Sequence, residues 1–352
     1  MKFQRIAASA AIASLALAAA PGAGAITINL TNGGGAGPGT AAFIGFSAAA
    51  HFWESVLTDN VTVNVRMLFN DTLPSNVLGS TSSAATDVGQ ASWRDALIAD
   101  ASTPLDMTAT THLASFESSK VYLNTSVQKA LGLFNTTATG LDAIIAFNST
   151  FSFDFDTRDG FAEVAPDFIA VAVHEMGHVL GFHSGVHRST ENDSRPANAD
   201  MFRYKKGAFD ITWGGTPYFS IDGGATQVFG RSGFANGSDD HQPSHWKDSA
   251  STRESGSCTV VVEAQIGIMD PTGGACQEGI VTAQDLALFD AIGWDLNMDI
   301  LANPDYQKFT SQILQDYLDV TAVPEPGSWA MLAAGLGFAG MALRRRRGAD
   351  RD

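Results

Sequence analysis

The distribution of apolar and polar residues predicts both helices and strands in the first half of the chain. Positions 40–57 carry phenylalanine, tryptophan and valine at helical spacing, which predicts an amphipathic helix. Valine and methionine alternate with polar residues at 61–69, which predicts a strand, and the polar segment 70–89 predicts a loop. We expect a short helix at 90–99 and a long strand rich in isoleucine and phenylalanine at 141–155.

The second half begins with a strongly apolar helix and then loses its regular pattern. Segment 166–180 opens with proline and aspartate, both favourable at a helix N-terminus, and Gly181 suits a left-handed helix stop. Segment 184–257 is rich in glycine, serine, aspartate and asparagine, so we expect a long irregular lobe there. Helical patterns return at 282–292 and 306–318. The chain is therefore expected to belong to the α+β class.

The N-terminal residues form a secretory signal. Lys2 and Arg5 precede an apolar run at 6–20, and the small-residue stretch 21–25 suits a signal-peptide cleavage site. A first core helix fits less well, because the run is short, rich in alanine and broken by proline and glycine. We therefore expect residues 1–25 to be removed during export and residues 26–320 to form one domain.

The C-terminal residues 323–352 carry a second sorting signal. A Pro-Glu-Pro sequence at 324–326 precedes 17 uncharged residues at 327–343 and then four arginines at 344–347. An apolar stretch of this length can just span a bilayer, and arginines hold such an end in the cytoplasm. The order of the three parts resembles the PEP-CTERM signal of Gram-negative bacteria, which the transpeptidase exosortase recognises and cuts. The resemblance implies a cell-surface or extracellular protein after processing, and a plain C-terminal membrane anchor is the alternative.

The net charge of the mature body excludes some classes of partner. Positions 26–343 contain 14 lysines and arginines against 35 aspartates and glutamates, a net charge near −21. Such a body repels nucleic acid and anionic lipid, and the charge is explained most simply by solubility outside the cell. We expect a monomer with no nucleic-acid partner.

The two cysteines point to a structural disulfide. Cys258 and Cys276 most simply pair with each other in an oxidising compartment. Closing a loop of this length stabilises a fold by about 3 kcal/mol in the chain-entropy model. This pairing argues against a catalytic cysteine.

The most informative pattern in the chain is the His-Glu-Met-Gly-His sequence at 174–178. Histidines four positions apart lie on one face of a helix, so His174 and His178 can reach a single metal ion. Glu175 lies between them and can reach a water on that ion as a general base. Without a partner, burying these polar groups in an apolar helix is costly, and zinc supplies that partner.

Zinc in hydrolases usually has three protein ligands and one position for water, so a third ligand is needed. Four histidines follow the helix and are the candidates considered, namely His183, His187, His241 and His245.

The segment 174–182 resembles the zinc helix of metzincin peptidases, in which a third histidine usually follows the helix-ending glycine by three residues. Ser184 stands there in this chain, and His183 comes one position early. The Gly-Ile-Met-Asp-Pro sequence at 267–271 resembles the metzincin Met-turn, which would place Met269 as an apolar floor under the metal. In leishmanolysin-like metzincins a long insertion precedes the third histidine.

The His-Trp pair at 245–246 matches the leishmanolysin-like arrangement, since His245 lies 64 residues after Gly181 and 24 before Met269. The resemblance therefore implies that His174, His178 and His245 bind Zn²⁺, and that Glu175 is the catalytic base. It also implies a twisted mixed sheet with an edge strand above the zinc helix, for which we take 141–151, and an interior position is the alternative for that strand.

Zinc-dependent hydrolysis of a peptide or protein substrate is the expected function. A zinc-containing surface or matrix binding protein is the main alternative, and a zinc hydrolase acting on a non-peptide substrate is a further one. An intact Glu175 beside both histidines favours an enzyme, because a structural zinc site has no need of a base. Asp154, Asp156 and Asp159 could ligate calcium, but their spacing is not that of an EF-hand, and a solvated acidic loop is the favoured interpretation.

Overall fold

The computed structural model describes residues 25–160, 162–188, 195–248, 251–253, 260–262 and 265–322. The described residues form a mixed α+β structure with seven α-helices and a four-stranded mixed sheet. The helices are α1 (Ala41–Val56), α2 (Gln90–Asp100), α3 (Pro104–Thr111), α4 (Thr125–Ala130), α5 (Phe168–Val179), α6 (Ala283–Ala291) and α7 (Thr310–Ala322).

The strands are long only in the first half of the chain. They are β1 (Thr27–Gly34), β2 (Thr62–Asn70), β3 (Gly79–Ser83), β4 (Ala85–Gly89), β5 (Lys120–Asn124), β6 (Ala143–Asn148), β7 (Arg203–Lys205), β8 (Ala208–Phe209), β9 (Tyr218–Phe219), β10 (Ser251–Arg253), β11 (Val260–Val262), β12 (Ile280–Thr282) and β13 (Gln307–Phe309).

The main sheet has the strand order β1-β2-β6-β3. Strands β1, β2 and β6 run parallel, whereas β3 pairs with β6 in the antiparallel direction. The side chains of Val63, Val65 and Met67 on β2 are fully buried. The residues between them, Asn64 and Arg66, lie on the other, less buried face, which gives β2 the alternation seen in the sequence.

Helices α1 and α5 pack together against this sheet, and the rings of Phe46, Phe147 and Phe168 form their contact. The ring centroids of Phe147 and Phe168 are 4.7 Å apart, and those of Phe46 and Phe168 are 5.3 Å apart. Gly45 makes the close approach possible, because any side chain there would overlap the Phe168 ring. The histidine-bearing helix α5 is thus fixed in the core.

Three predictions about the sheet region are wrong in detail. The segment 70–89 is not only a loop, because it contains β3 and β4. The strand expected at 141–155 is shorter, since β6 ends at Asn148, and it is an interior strand instead of the edge above the zinc helix. The antiparallel edge is β3, which no hydrophobic alternation revealed because its sequence is Gly-Ser-Thr-Ser-Ser.

The last helix also differs from its prediction. The pattern at 306–318 combines the short strand β13 with helix α7, which begins only at Thr310. Phe309 and its neighbours continue the helical spacing of apolar residues into the strand, so periodicity alone could not separate the two. Strand β13 pairs with β12, and the Thr310 amide at the start of α7 donates a hydrogen bond of 3.0 Å to the Gly279 carbonyl just before β12.

The described part of the segment 184–257 contains only short strands and 3-10 turns. Strands β7, β8 and β9 form a small three-stranded sheet, and residues Asn198–Phe202 form a 3-10 helix before it. Its core is nevertheless well packed, since Phe219, Phe234 and Trp246 are almost wholly buried.

Both predicted sorting segments fall outside the described residues, apart from Ala25. Within the part that the structure describes, no helix is both long and apolar enough to cross a membrane. The apolar segment predicted at 327–343 lies beyond that part.

Candidate metal centre

Helix α5 carries two of the three histidines of the site, and both of its ends are fixed. Asp167 caps its N-terminus by accepting a hydrogen bond from the Ala170 amide at 3.0 Å, as expected for an aspartate at this position. The same carboxylate accepts a hydrogen bond from the hydroxyl of Thr310 on α7. After Val179 the chain leaves the helix through Gly181, whose φ of +111° favours glycine.

The side chains of His174, His178 and His245 meet at one point. The Nε2 atom of His178 lies 3.1 Å from that of His174 and 3.2 Å from that of His245. Among the described residues, these three form the group of side chains that could hold a metal ion. The insertion after Gly181 therefore returns to the helix face that the sequence had already marked.

Each imidazole of this group is turned by a hydrogen bond at its other nitrogen. The Nδ1 atoms of His174, His178 and His245 lie 2.8, 2.8 and 3.1 Å from the carbonyl oxygens of Ile268, Phe182 and Gln242. A carbonyl oxygen only accepts, so each Nδ1 carries the proton of a neutral ring. Each Nε2 then presents a lone pair to the other two, an unfavourable arrangement without a cation between them.

The donor set fits zinc. Two imidazole nitrogens at about 2.0–2.1 Å from a tetrahedral ion lie about 3.4 Å apart, close to the separations in this cluster. Burial lowers the pKa of His174 to about 4 and that of His245 to about 3, and it also lowers the pKa of His178. The three rings are thus neutral at physiological pH, which is the form that binds a metal.

Glu175 lies beside the histidines and contacts the edge strand. Its Oε2 atom accepts a hydrogen bond of 2.7 Å from the Thr81 hydroxyl, whose oxygen is also 2.9 Å from the Glu175 backbone carbonyl. The Oε1 atom lies over Gly79, where a side chain would approach it to 2.8 Å. Burial raises the pKa of Glu175 to about 7, opposed by the hydrogen bond from Thr81. The carboxylate is held and largely removed from water.

Met269 packs against the helix that carries His174 and His178, and its backbone neighbour orients one of these histidines. The Met269 side chain is fully buried and its sulfur abuts Gly177, where any side chain would overlap it. The carbonyl oxygen of the preceding residue, Ile268, accepts the hydrogen bond from His174 Nδ1. The Met269 carbonyl in turn accepts a hydrogen bond of 2.9 Å from the amide of Trp246.

A buried carboxylate links this turn to the residue after His245. The Oδ1 atom of Asp285 accepts hydrogen bonds from Trp246 Nε1 at 2.8 Å and from the Met269 amide at 3.3 Å. Its Oδ2 atom accepts from the amides of Ile268 and Thr282, both at 2.8 Å. One side chain therefore fixes two of the segments that carry or orient histidines of this cluster.

The other candidate histidines have different partners. The Nδ1 atom of His183 lies 3.1 Å from the Asn124 side-chain oxygen, outside the three-histidine group. His187 is exposed and contacts the Gly185 carbonyl. The Nε2 atom of His241 lies 3.7 Å from Asp248.

Ser184 stands where the commoner metzincin spacing would place a histidine. Its side chain is buried, and its hydroxyl donates a hydrogen bond of 2.6 Å to Asp200. Its amide donates to the Ser244 hydroxyl at 3.0 Å, one residue before His245. This position therefore joins the two ends of the insertion.

The acidic loop considered for calcium makes internal contacts. Asp156 forms an ion pair of 2.7 Å with Arg158, and Asp154 accepts hydrogen bonds from the amides of Asp156 and Ala162. These contacts give the carboxylates of Asp154 and Asp156 protein partners, and no group of metal-type ligands is found there among the described residues.

Cys276 is disulfide-bonded. Its predicted partner, Cys258, lies outside the described residues. The Cys276 amide donates to the Ala162 carbonyl at 3.1 Å, and neighbouring Ala275 pairs with Pro166 just before α5. The bonded cysteine is thus close in sequence to residues that contact the start of the histidine-bearing helix.

The three histidines and Glu175 line a cleft of about 1440 Å³. Its lining includes the edge strand β3, the preceding residues 73–78, and residues from 240–245 and 268–279. This volume exceeds the range of about 300–1,000 Å³ that is typical of small-molecule sites. The cleft has room for an extended chain of several residues.

Sequence reasoning missed the residues that support the site. Thr81 gave no signal, because a threonine in a polar segment is unremarkable before the segment is known to pair with the sheet. Asp285 could have been found, since Thr282 and Asp285 form the Thr-x-x-Asp pattern of a capping box.

Comparison with known families identifies the C-terminal segment. The family model for the PEP-CTERM protein-sorting motif matches residues 322–347. This motif indicates an exported, surface-sorted protein and implies processing by an exosortase. No curated protein and no solved structure matches the chain.

Proposed function

We propose that this protein is an exported zinc-dependent endopeptidase, in which His174, His178 and His245 hold the metal and Glu175 is the general base. The convergence of three Nε2 atoms whose Nδ1 partners are all carbonyl oxygens carries the proposal. A metal held by these three histidines would keep a position for water, as a catalytic site requires, and the histidines line the cleft.

A bound zinc ion acidifies water and polarises a carbonyl group as a Lewis acid. The chain itself supplies the proton transfers. The Glu175 carboxylate takes the proton of the attacking water and passes it to the leaving nitrogen of the cleaved peptide bond. Thr81 holds Oε2, so Oε1 over Gly79 is the oxygen available for these transfers.

The edge strand supports a peptide as substrate. Among the described strands β3 pairs with β6 alone, so its other side can add an extended chain by backbone hydrogen bonds. Small side chains and the absence of lysine or proline leave this edge unprotected against strand addition. Thr81 lies in this strand, which brings the bound peptide and the base to the same place.

Replacement of Glu175 by glutamine tests the proposal. We expect E175Q to bind one zinc ion per chain and to lose nearly all hydrolysis of casein or gelatin, because an amide cannot accept the proton of water. The exposed Glu163 provides a matched control, and E163Q should hydrolyse like the wild type.

Two outcomes would count against the enzyme. An E175Q variant with wild-type rates would remove Glu175 from the reaction. The second outcome is a wild type that binds zinc stoichiometrically but cleaves no protein or peptide, whether or not a chelator is added to the assay. That result would indicate the alternative of a surface binding protein.

A further inference from the structure

The third histidine reaches the site only through a long irregular segment, so something in the fold must hold it there. The backbone of His245 is anchored by antiparallel contacts, since the Ala235 amide donates to the His245 carbonyl at 3.0 Å and Phe234 pairs with Trp246. Residues 236–244 thus form a loop whose two ends lie side by side. A loop of this kind keeps its geometry only if both ends are fixed to something rigid.

The guanidinium group of Arg203 contacts both ends of this loop. One terminal nitrogen donates to the Pro243 carbonyl and the other to the Ala235 carbonyl, each at 2.8 Å. The side chain is fully buried, and its guanidinium carbon lies 4.6 Å from the centroid of the Phe234 ring. The rigid fork of an arginine suits two acceptors at a defined separation, a geometry that a lysine cannot reproduce.

Asp200 connects this arginine to the start of the insertion. Its Oδ1 atom lies 3.7 Å from Arg203 Nε and accepts a hydrogen bond of 2.6 Å from the Ser184 hydroxyl. Its Oδ2 atom accepts hydrogen bonds from the amides of Gly185 and Ala197. The buried pair therefore lies between the residues that leave helix α5 and the loop that brings back His245.

We infer that Arg203 is a positioning residue for the metal centre. It holds the two ends of the 236–244 loop so that the His245 imidazole points at His174 and His178. The inference rests on the three-histidine site but not on peptidase activity. Burying a charged pair such as Arg203 and Asp200 is costly, and a purely packing role would be filled as well by an apolar side chain. The fork between the two ends of the loop explains why an arginine stands there.

The test is zinc affinity of the exported, processed protein, measured by competition with a chromophoric chelator for the variants R203K and R203M. We expect the dissociation constant for zinc to rise about 10- to 100-fold, the usual effect of losing a residue that orients a metal ligand. Amide exchange of the peptide covering 235–246 in the metal-free protein should also become faster, which detects loosening of the loop without any metal or activity.

Lys129 provides the matched control. It is a second fully buried cation, paired at 2.6 Å with Asp142 and absent from the lining of the cleft. K129M should lower thermal stability but leave both the zinc dissociation constant and exchange at 235–246 unchanged.

The inference is overturned if R203K and R203M bind zinc as tightly as the wild type with unchanged exchange at 235–246, or if K129M weakens zinc binding equally. If R203M does not accumulate as folded protein, R203K alone decides by the same two measurements. If the wild type binds no zinc, the metal site and the proposed peptidase fail together, while amide exchange still decides whether Arg203 holds the loop.

Discussion

The indole nitrogen of Trp246 donates a hydrogen bond of 2.8 Å to the carboxylate of Asp285, and both side chains are fully buried. The same carboxylate accepts hydrogen bonds from the backbone amides of Ile268 and Met269. A residue of helix α6 thus connects the segment carrying His245 to the turn whose carbonyl orients His174.

Replacing Asp285 by asparagine should lower stability and weaken metal binding. The amide nitrogen of an asparagine must face at least one of the buried N–H donors, so hydrogen bonds are lost and a donor is left without an acceptor. Each such buried group costs about 1–3 kcal/mol. We expect the melting temperature of the metal-free protein to fall by several degrees, with weaker zinc binding besides, measured by calorimetry with and without zinc. The exposed Asp305 gives the control variant D305N, and equal behaviour of the two variants would contradict the role of Asp285.

Removing the Thr81 hydroxyl should slow hydrolysis without releasing zinc. Thr81→Val keeps the shape of the side chain but removes the 2.7 Å hydrogen bond to Glu175, whereas Thr81→Ser retains the hydroxyl. Hydrogen bonds to charged groups contribute about 1.5–3 kcal/mol, so kcat should fall about tenfold or more in T81V and recover in T81S. Steady-state kinetics and zinc stoichiometry check this together. A T81V enzyme that loses only substrate affinity would show that Thr81 acts in substrate binding and not through the base.

Alanine variants of the two competing histidines should behave very differently. His245→Ala leaves two histidines in the cluster, so we expect loss of stoichiometric zinc and of hydrolysis. His183 has its Nδ1 against Asn124 and lies outside the cluster, so His183→Ala should retain the metal. Zinc content by elemental analysis beside peptidase rate distinguishes the variants. Retention of zinc by H245A with loss in H183A would mean that the third ligand is local to the helix end.

A group of buried aspartates should make stability depend on pH in an unusual direction. Burial, with the neighbouring carboxylates adding to it, raises the pKa of Asp59 to about 8 and that of Asp100 to about 7. Burial and the nearby Asp106 also raise the pKa of Asp290, and Asp295 lies close enough to contribute. The folded state therefore holds protons that the unfolded state has released above about pH 4. The stability from these groups is fully present below that pH and is lost as pH rises through the raised values.

The buried histidines make stability change with pH in the opposite direction. The substitution Asp290→Asn isolates the effect of the aspartates from theirs. An asparagine carries no charge at any pH, so the melting temperature of D290N relative to the wild type should increase steadily from pH 5 to pH 8. A constant difference for D290N would mean that its carboxyl titrates normally in the folded protein.

Much of the site was predictable because it is local. His174, Glu175 and His178 share a helix, and the period of 3.6 residues per turn puts both histidines on one face whatever the rest of the fold does. The limits of that helix were equally readable, since Asp167 caps it and Gly181 follows its end. The C-terminal sorting motif is also a short linear pattern, and it was found in full.

The tertiary structure decided what depends on pairing between distant residues. Strand β3 became the edge above helix α5 because its backbone bonds to β6, about 60 residues away in sequence, and its own side chains carry no alternation that could announce this. The sequence named His245 only through a family resemblance and left three other histidines open. Its neighbours in the chain contact remote groups, since the Pro243 carbonyl accepts a hydrogen bond from Arg203 and the Trp246 indole donates one to Asp285. Hydrogen bonds between a side chain and a remote backbone leave no periodic trace in a sequence, so only the folded chain brings these groups together.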